Sequence, residues 1–141
     1  MSPGRFVDTN VLLYSISTSH AEVTKRNIAV ELLERNDLAL SVQVLQEFYV
    51  QATRRTRRDA IPHEIAVGLI RTWLRFSVQE LTTAVMLEAF DVKARYQLSY
   101  WDAAIVAAAM TAGCHELLSE DMSHGLNVNG VVITNPFVNF S

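Results

Sequence analysis

Arg5-Phe6-Val7-Asp8-Thr9-Asn10 is a short apolar run that ends on a carboxylate. A second run, Glu116-Leu117-Leu118-Ser119-Glu120-Asp121, ends in the same way. Open parallel sheets bind ligands just outside the carboxyl ends of their strands, so these two ends indicate one shared site. The two stretches together predict an α/β fold whose functional site lies at that edge of the sheet.

Other short apolar runs alternate with longer segments of helical period, which is the pattern of α/β domains. Each run is short enough to be a buried parallel strand. Met122–Gly130, with two Gly and two Asn, is interpreted as an irregular surface loop near the site. The predicted strands are Arg5–Val7, Leu38–Leu40, Ser77–Gln79, Glu116–Leu118 and Val131–Thr134.

The segments between the strands carry helix caps and apolar stripes with helical spacing. The stripe from Ile65 to Leu74 is predicted to face inward. The last helix contains Ala103–Met110, apolar almost all round, and stops at Gly113, so it is predicted to be central. The five predicted helices begin at about Ser19, Ser41, Pro62, Thr83 and Ser99, the first of them continuing to about Arg35.

The composition predicts one globular domain over residues 1–141, because half of the residues are hydrophobic and 19% are charged. A single cysteine, Cys114, excludes an internal disulfide framework and favours a reducing compartment. The apolar stretch that follows Arg5 is broken by Asp8 and Asn10, so it is too short and too polar for a signal sequence or a membrane span. We therefore expect a cytoplasmic protein that is not bound to a membrane.

Four acidic residues lie where a predicted strand ends or near an end of a predicted helix: Asp8, Glu47, Asp102 and Asp121. Each has a purely structural alternative, as a helix N-cap, a solvated flank, a capping box with Ser99 or a loop acid. Asp102, however, precedes a helix predicted to be buried on nearly every side, where an ionised group needs a partner. Together the four indicate one acidic site.

Cationic side chains to neutralise such a site are scarce, since the chain has only two lysines, Lys25 and Lys93. Oxygen ligands without a Cys/His cluster favour a hard cation, Mg²⁺ or Mn²⁺, over zinc. The four histidines show no ligand spacing. The sequence therefore predicts a divalent metal site.

The net charge of −3 argues against a domain that holds nucleic acid by general electrostatics. Four arginines nevertheless form a cluster within residues 54–58. Either they form a solvated helix end, or they contact RNA phosphates or an acidic partner. Four aromatic residues are interpreted as core rather than as base-stacking platforms: Trp73, Phe76, Phe90 and Trp101. The clustered arginines are Arg54, Arg55, Arg57 and Arg58.

Several segments in this order closely resemble the PIN-domain ribonucleases, and more narrowly the VapC-type toxins. The resemblance covers nearly the whole chain, is specific from Ser99 to Phe137 and is weak from Arg54 to Leu98. The segments that carry it are Phe6–Leu12, Gln46–Tyr49, Ser99–Ile105, Leu118–Met122 and Asn135–Phe137.

The resemblance implies a three-layer α/β/α sandwich with a short, mostly parallel central sheet of four to five strands. It implies that the four acids bind Mg²⁺ or Mn²⁺ and catalyse endonucleolytic cleavage of structured RNA, tRNA or rRNA. Asn10 and Ser119 match supporting polar positions of the family, and Thr9 lies between Asp8 and Asn10. Glu120 is a weaker candidate for the site than these four acids, the acidic quartet Asp8, Glu47, Asp102 and Asp121. A small antitoxin that blocks the cleft and a homodimer are the expected partners.

Three other functions remain open at this point. A haloacid-dehalogenase-like phosphatase also begins with a strand that ends in Asp, but it needs a second Asp where this chain has Asn10. A phosphoaccepting receiver domain needs paired acids after the first strand and a late Lys, which are absent from the sequence. In a non-catalytic binding module the four acids would be mere caps.

Overall fold

The computed structural model describes residues 4–138, and a six-stranded sheet forms the centre of this range. All neighbouring strands are parallel except the last pair, and their order across the sheet is β3-β2-β1-β4-β6-β5. The strands are β1 (Arg5–Val7), β2 (Leu38–Ser41), β3 (Ser77–Gln79), β4 (Glu116–Leu118), β5 (Asn127–Val128) and β6 (Val131–Thr134).

Six α-helices connect the strands. They are α1 (Thr9–Ser15), α2 (Val23–Leu33), α3 (Val42–Ala52), α4 (His63–Trp73), α5 (Thr83–Tyr96) and α6 (Tyr100–Thr111).

Two helical layers cover the sheet. The chain moves in one direction across the sheet from β1 to β3 and returns to β4, so right-handed crossovers place α1–α4 on one face and α5–α6 on the other. Contacts agree, since α1 packs on α2 and α3 while α6 packs on α5 and on four strands. The predicted three-layer α/β/α sandwich is confirmed.

Residues 103–109 of α6 are all buried, which confirms the predicted central helix. Gly113 follows it with a φ of +78°, a backbone conformation that L side chains rarely adopt and that suits a helix C-terminus. The last turn of α6 then leads directly into β4, so its first turn and Asp102 lie at the carboxyl edge of the sheet.

The five predicted strands are confirmed, but the prediction of four to five strands is one too few. The sixth strand, β5, lies inside the segment 122–130, which was interpreted as an irregular loop. Asn129 and Gly130 have φ angles of 51° and 94° and join β5 to β6 as a tight antiparallel hairpin. An Asn-Gly pair is a strong hairpin signal, but two residues of strand gave no alternating pattern to detect.

The five predicted helices are confirmed with local corrections, but α1 (Thr9–Ser15) is a sixth helix that was not predicted, because seven residues are too few to show a clear helical stripe. A 3₁₀ turn, His20–Glu22, replaces the predicted first turn after Ser19, and Pro62 is the N-cap of α4 rather than its first turn. Ile65 and Leu74 were predicted to face inward, yet each is 54% exposed. The reason is that α4 packs on α3 near the end of the layer, where only a narrow stripe of the helix is covered.

Of the four aromatic residues predicted to lie in the core, two are buried and two are exposed. Trp73 and Phe76 are buried, whereas Phe90 is 49% and Trp101 64% exposed, so their assignment to the core is wrong. No helix among residues 4–138 is long and apolar enough to cross a membrane.

Candidate active site

Asp8 lies at the point where the sheet reverses its order of connection, between β1 and β4. Its backbone N–H donates to the carbonyl of Leu118 at 3.0 Å, which continues the pairing of the two strands by one residue. Its side chain is only 4% exposed and accepts from the Thr9 N–H at 2.7 Å, so Asp8 caps α1. The N-cap interpretation is confirmed, and the site interpretation is compatible with it, because one oxygen caps the helix and the other is held by Ser119 and Asn10.

Ser119 and Asn10 hold the second oxygen of Asp8. The Ser119 hydroxyl donates to Asp8 Oδ2 at 2.7 Å, and Asn10 Nδ2 lies 3.3 Å from the same oxygen. Asn10 Nδ2 also lies 3.2 Å from Asp121 Oδ2. One amide therefore links the acids that follow β1 and β4, and the predicted supporting roles of Asn10 and Ser119 are consistent with these contacts.

Glu47 reaches the same site from α3. Thr9 Oγ1 donates to Glu47 Oε2 at 3.1 Å, and Gln43 Nε2 donates to Glu47 Oε1 at 2.9 Å. Ser41 fixes the start of α3, since its hydroxyl accepts from the Val44 N–H at 3.2 Å. Glu47 is thus held by neutral donors on both oxygens.

Asp102 enters the site from the opposite helical layer. It lies in the first turn of α6, which Ser99 caps by accepting the Asp102 N–H at 3.1 Å. Gln43 Nε2 donates to the carbonyl of Trp101 at 3.2 Å and to Glu47, so one side chain connects α3 to the start of α6. The structure therefore brings all four predicted acids to one edge of the sheet.

The electrostatics of the site follow from burial and from mutual repulsion. Burial raises the pKa of Asp8 to about 6, hydrogen bonds from Ser119 and Thr9 oppose this shift, and the charges of Asp121 and Glu47 add to it. Burial also raises the pKa of Asp102, and the same two charges contribute. Asp8 and Asp102 are therefore electrostatically strained, chiefly by burial and in addition by the neighbouring carboxylates.

The cationic side chains of residues 4–138 do not relieve this strain. Their ion pairs are with other acids, namely Arg5 with Glu116, Lys25 with Glu120, Arg35 with Asp37 and Arg57 with Asp59. Asp8, Glu47 and Asp121 are held instead by amide and hydroxyl donors, which orient carboxylates without neutralising them.

Glu120 is clearly separate from the quartet. Lys25 Nζ lies 2.5 Å from Glu120 Oε2, and the Tyr14 hydroxyl donates to Oε1 at 2.5 Å. Although burial opposes the shift, these two donors lower the pKa of Glu120. The Glu120 backbone N–H donates to Asn10 Oδ1 at 3.3 Å. This hydrogen bond and the Lys25–Glu120 ion pair together hold the turn that carries Asp121.

The donor set fits a hard divalent cation, because it offers carboxylate oxygens in excess of positive charge. Among the described residues, no three His, Cys, Asp or Glu side chains are arranged as a ready-made metal-binding group. Asn10 and Thr9 instead occupy positions between the acids, where they reduce the repulsion of close carboxylates. The metal site and the roles of its four acids stay predictions.

The arginine cluster lies in turns after α3 rather than in a helix end. Arg57 Nε pairs with Asp59 Oδ1 at 2.9 Å, and Asp59 Oδ2 accepts from the Thr18 N–H at 3.3 Å, which ties this loop to the loop after α1. Arg54, in contrast, shares a shallow cavity of about 290 Å³ with Glu47. Arg54 is therefore the arginine of the cluster that the structure places beside the acidic site.

Sequence reasoning missed Gln43, which is buried and links Glu47 to the start of α6. The available signal was its position four residues before Glu47, where two side chains of a helix meet. We expect Gln43→Leu to reduce the maximal rate of the site's reaction roughly 10- to 100-fold, as loss of a supporting hydrogen bond does around metal ligands.

The measurement for Gln43→Leu is a single-turnover rate beside a thermal unfolding curve. Gln46→Leu is the matched control, because Gln46 is an exposed residue of the same helix. Equal rates for Gln43→Leu and Gln46→Leu would show that Glu47 does not depend on Gln43.

Comparison with protein-family models matches residues 5–124 to the family described as PIN domain. Comparison with curated protein sequences gives no match.

Solved structures share the fold over nearly the whole chain. A toxin-antitoxin complex from Klebsiella pneumoniae matches with a TM-score of 0.70 at 20% identity, over 95% of this chain and 98% of that one. VapC20 from Mycobacterium tuberculosis, a toxin that cleaves the sarcin-ricin loop, matches with a TM-score of 0.65 at 21% identity, over 84% and 92%. DNA-bound VapBC from Salmonella typhimurium matches with a TM-score of 0.64 at 15% identity, over 94% of this chain and 98% of that one.

Proposed function

Since this chain belongs to the PIN-domain family, we propose that it is a metal-dependent endoribonuclease and the toxin of a type II toxin-antitoxin pair. The observation that carries the proposal is the acidic quartet at the carboxyl edge of the sheet. Three of its members, Asp8, Glu47 and Asp121, accept hydrogen bonds from neutral donors. Asp8 and Asp102 have raised pKa values. Such a group is suited to binding Mg²⁺ or Mn²⁺ and, through it, a phosphodiester.

Bound Mg²⁺ or Mn²⁺ would lower the pKa of a water molecule and neutralise negative charge that develops on the phosphate. Asp8 and Asp102 are the proposed main ligands, Asp121 completes the ligand set, and Glu47 binds metal or orients the attacking water. Ser119 and Asn10 keep the Asp8 carboxylate facing the site, and Thr9 does the same for Glu47. These contacts support a pre-oriented hydrolytic centre.

The test is incubation of the purified protein with end-labelled tRNA and rRNA fragments, with and without added divalent metal. We expect internal cleavage that needs Mg²⁺ or Mn²⁺ and stops with EDTA, because the quartet lacks cationic partners among the described residues. Restoring excess Mg²⁺ after EDTA is the control for irreversible damage. Full activity after exhaustive chelation would contradict the proposal.

The toxin role predicts a small cognate antitoxin whose tail blocks the cleft, and a homodimer. The support is likeness of fold to chains from toxin-antitoxin complexes. Co-purification of a small protein with the tagged chain from its native host tests the first expectation, and mass measurement in solution tests the second. Structured RNA, tRNA or rRNA, is the proposed substrate, and the cytoplasm is the proposed location.

If the arginine cluster contacts RNA phosphates, its contribution to RNA affinity should decrease as the salt concentration rises. Replacing Arg54, Arg55 and Arg58 with Gln should weaken RNA binding most at low salt, since each lost phosphate contact shallows the slope of log affinity against log salt by roughly 0.7. Arg57 is kept, because its pair with Asp59 supports the loop. Cleavage at saturating RNA should remain close to the parental rate.

Arg71→Gln and Arg95→Gln, at the ends of α4 and α5, are the controls for a general loss of positive charge. If affinity and salt slope of the triple variant equal those of the parent, the cluster is not part of the RNA site. Antitoxin binding by the same variant then tests the acidic-partner alternative.

A further inference from the structure

Trp101 is the most exposed large hydrophobic side chain of the described residues and precedes Asp102 by one position. Its side chain is 64% exposed, in a helix whose next buried residues form the centre of the fold. Its ring lies 5.0 Å from the Tyr100 ring, which in turn lies 5.5 Å from the Phe90 ring. A row of aromatic rings therefore begins beside the acidic quartet.

A cavity of about 320 Å³ opens next to this row. It lies between the start of α5 and the start of α6, and its lining includes Gln43, Thr82, Met86, Tyr100 and Trp101. Thr82 accepts the Val85 N–H at 3.1 Å as the N-cap of α5, which leaves its hydroxyl proton available as a donor. The cavity thus combines flat apolar walls with polar groups.

Gln43 is the wall that this cavity shares with the acidic site. It lines the cavity, donates to Glu47 Oε1 at 2.9 Å and donates to the Trp101 carbonyl at 3.2 Å. A ligand in the cavity would therefore be held in a fixed position relative to Glu47 and Asp102. The cavity therefore adjoins the proposed catalytic site through Gln43 and is not a remote surface feature.

The charge of the chain indicates what kind of ligand fits. The net charge is −3, so general attraction to phosphates is weak, and a neutral contact would add affinity for RNA beyond the proposed arginine and metal contacts. Stacking on an exposed aromatic ring is such a contact, and unstacked RNA bases are bound in this way. An indole beside a cavity with polar walls offers both a stacking surface and hydrogen-bonding partners.

We propose that Trp101 and the adjoining cavity bind one unpaired nucleobase of the RNA substrate and thereby fix which phosphodiester reaches the acidic quartet. This inference rests on the proposed ribonuclease function and adds the means by which the site recognises its substrate. The base would stack on the Trp101 indole, with Thr82 and Gln43 at its edge.

Fluorescence tests occupancy without depending on cleavage. The chain has two tryptophans, Trp101 and the buried Trp73. In an Asp8→Asn background with Mg²⁺, short oligouridylate and oligoadenylate should quench Trp101. Abasic oligomers of equal length and charge should not, and the double variant Asp8→Asn/Trp101→Phe reports Trp73 alone. Equal quenching by abasic oligomers, or none by any RNA, would overturn the proposal.

Kinetics separate a base contact from a structural role. Trp101→Ala should raise the RNA concentration for half-maximal single-turnover cleavage roughly 5- to 150-fold, by the same factor at low and high salt, and leave the maximal rate within a few-fold. Trp101→Phe should recover much of the loss. Leu87→Ala, which removes a comparably exposed apolar side chain outside the cavity, should match the parent.

The outcomes distinguish the two proposals. If the parent cuts RNA and Trp101→Ala lowers only the maximal rate, Trp101 supports Asp102 structurally and the base site is wrong while the ribonuclease stands. If RNA quenches Trp101 but the parent cuts no RNA, the ribonuclease is wrong. Fluorescence of Trp101 that changes with protein concentration alone would show that a second copy covers the ring, which also overturns the base site.

Discussion

Replacing Asp102 with Asn is expected to reduce RNA cleavage by roughly a thousandfold or more. Asp102 enters the site from α6, opposite the acids that follow β1 and β4 and the acid on α3. Burial raises the pKa of its carboxyl, and the charges of Asp121 and Glu47 add to this shift. Asn keeps the size of the side chain but removes the charge that would bind a cation. A metal ion contributes several kcal/mol to stabilising a phosphoryl transition state, which is about a thousandfold in rate.

The measurement is single-turnover cleavage at saturating RNA and Mg²⁺, with circular dichroism to show an intact fold. Asp91→Asn is the matched control, because it makes the same change on the exposed face of the neighbouring helix α5. Asp91→Asn should cut at the parental rate. Cleavage by purified Asp102→Asn at that same rate would remove Asp102 from the active site.

Much of the fold could be predicted because its signals are local. Ser41 and Ser99 cap their helices as expected, each accepting a backbone N–H three residues later. Strand ends marked by Asp8 and Asp121 meet because parallel strands share one carboxyl edge. Asp8, Asp102 and Asp121 could therefore be placed from sequence, since each follows a recognisable strand or begins a helix, whereas Glu47 lies in the middle of α3 and enters the site only because α3 passes over it.

The features that could not be predicted depend on what covers a residue. Val85, Ala89 and Val92 form the buried stripe of α5, whereas Phe90 on the same helix is exposed. Hydrophobicity alone does not tell these residues apart. Trp101 is exposed because it lies in the first turn of α6, beyond the part of the helix that the sheet and α5 cover.

The supporting contacts of the site were harder still to foresee. Gln43 bridges two helical layers, and Lys25 pairs with Glu120 across 95 positions of sequence. Neither contact follows from spacing along the chain, because each depends on how two separate elements approach one another. The acids themselves were recognisable, while the residues that orient them became visible only in three dimensions.

Asp8→Asn is expected to stabilise the metal-free protein by up to roughly 3 kcal/mol at pH 7. The pKa of Asp8 rises from 3.8 to about 6 on folding, mainly through burial. The folded state therefore holds the Asp8 proton more tightly than the unfolded state, and the parent loses stability as the pH rises from about 4 to about 6. This difference in pKa between the folded and unfolded states corresponds to roughly 3 kcal/mol.

Asn removes this cost and keeps the cap, since Asn and Asp are equally good N-caps. Any change in the hydrogen bonds with Ser119 and Asn10 is independent of pH. The diagnostic quantity is therefore how the difference in unfolding free energy between Asp8→Asn and the parent changes with pH. We expect that difference, measured by urea unfolding with EDTA, to be flat below about pH 4, to grow in favour of Asp8→Asn between pH 4 and 6, and then to level off.

Added Mg²⁺ gives the second half of this prediction. A cation that binds the folded state stabilises it in proportion to RT ln(1 + [L]/Kd), so the parent should regain stability at pH 7 while Asp8→Asn gains little. The two unfolding curves should therefore approach each other as Mg²⁺ is raised. A stability difference that is constant from pH 4 to 7, or that is unaffected by Mg²⁺, would mean that the Asp8 carboxylate is neither strained by burial nor relieved by metal.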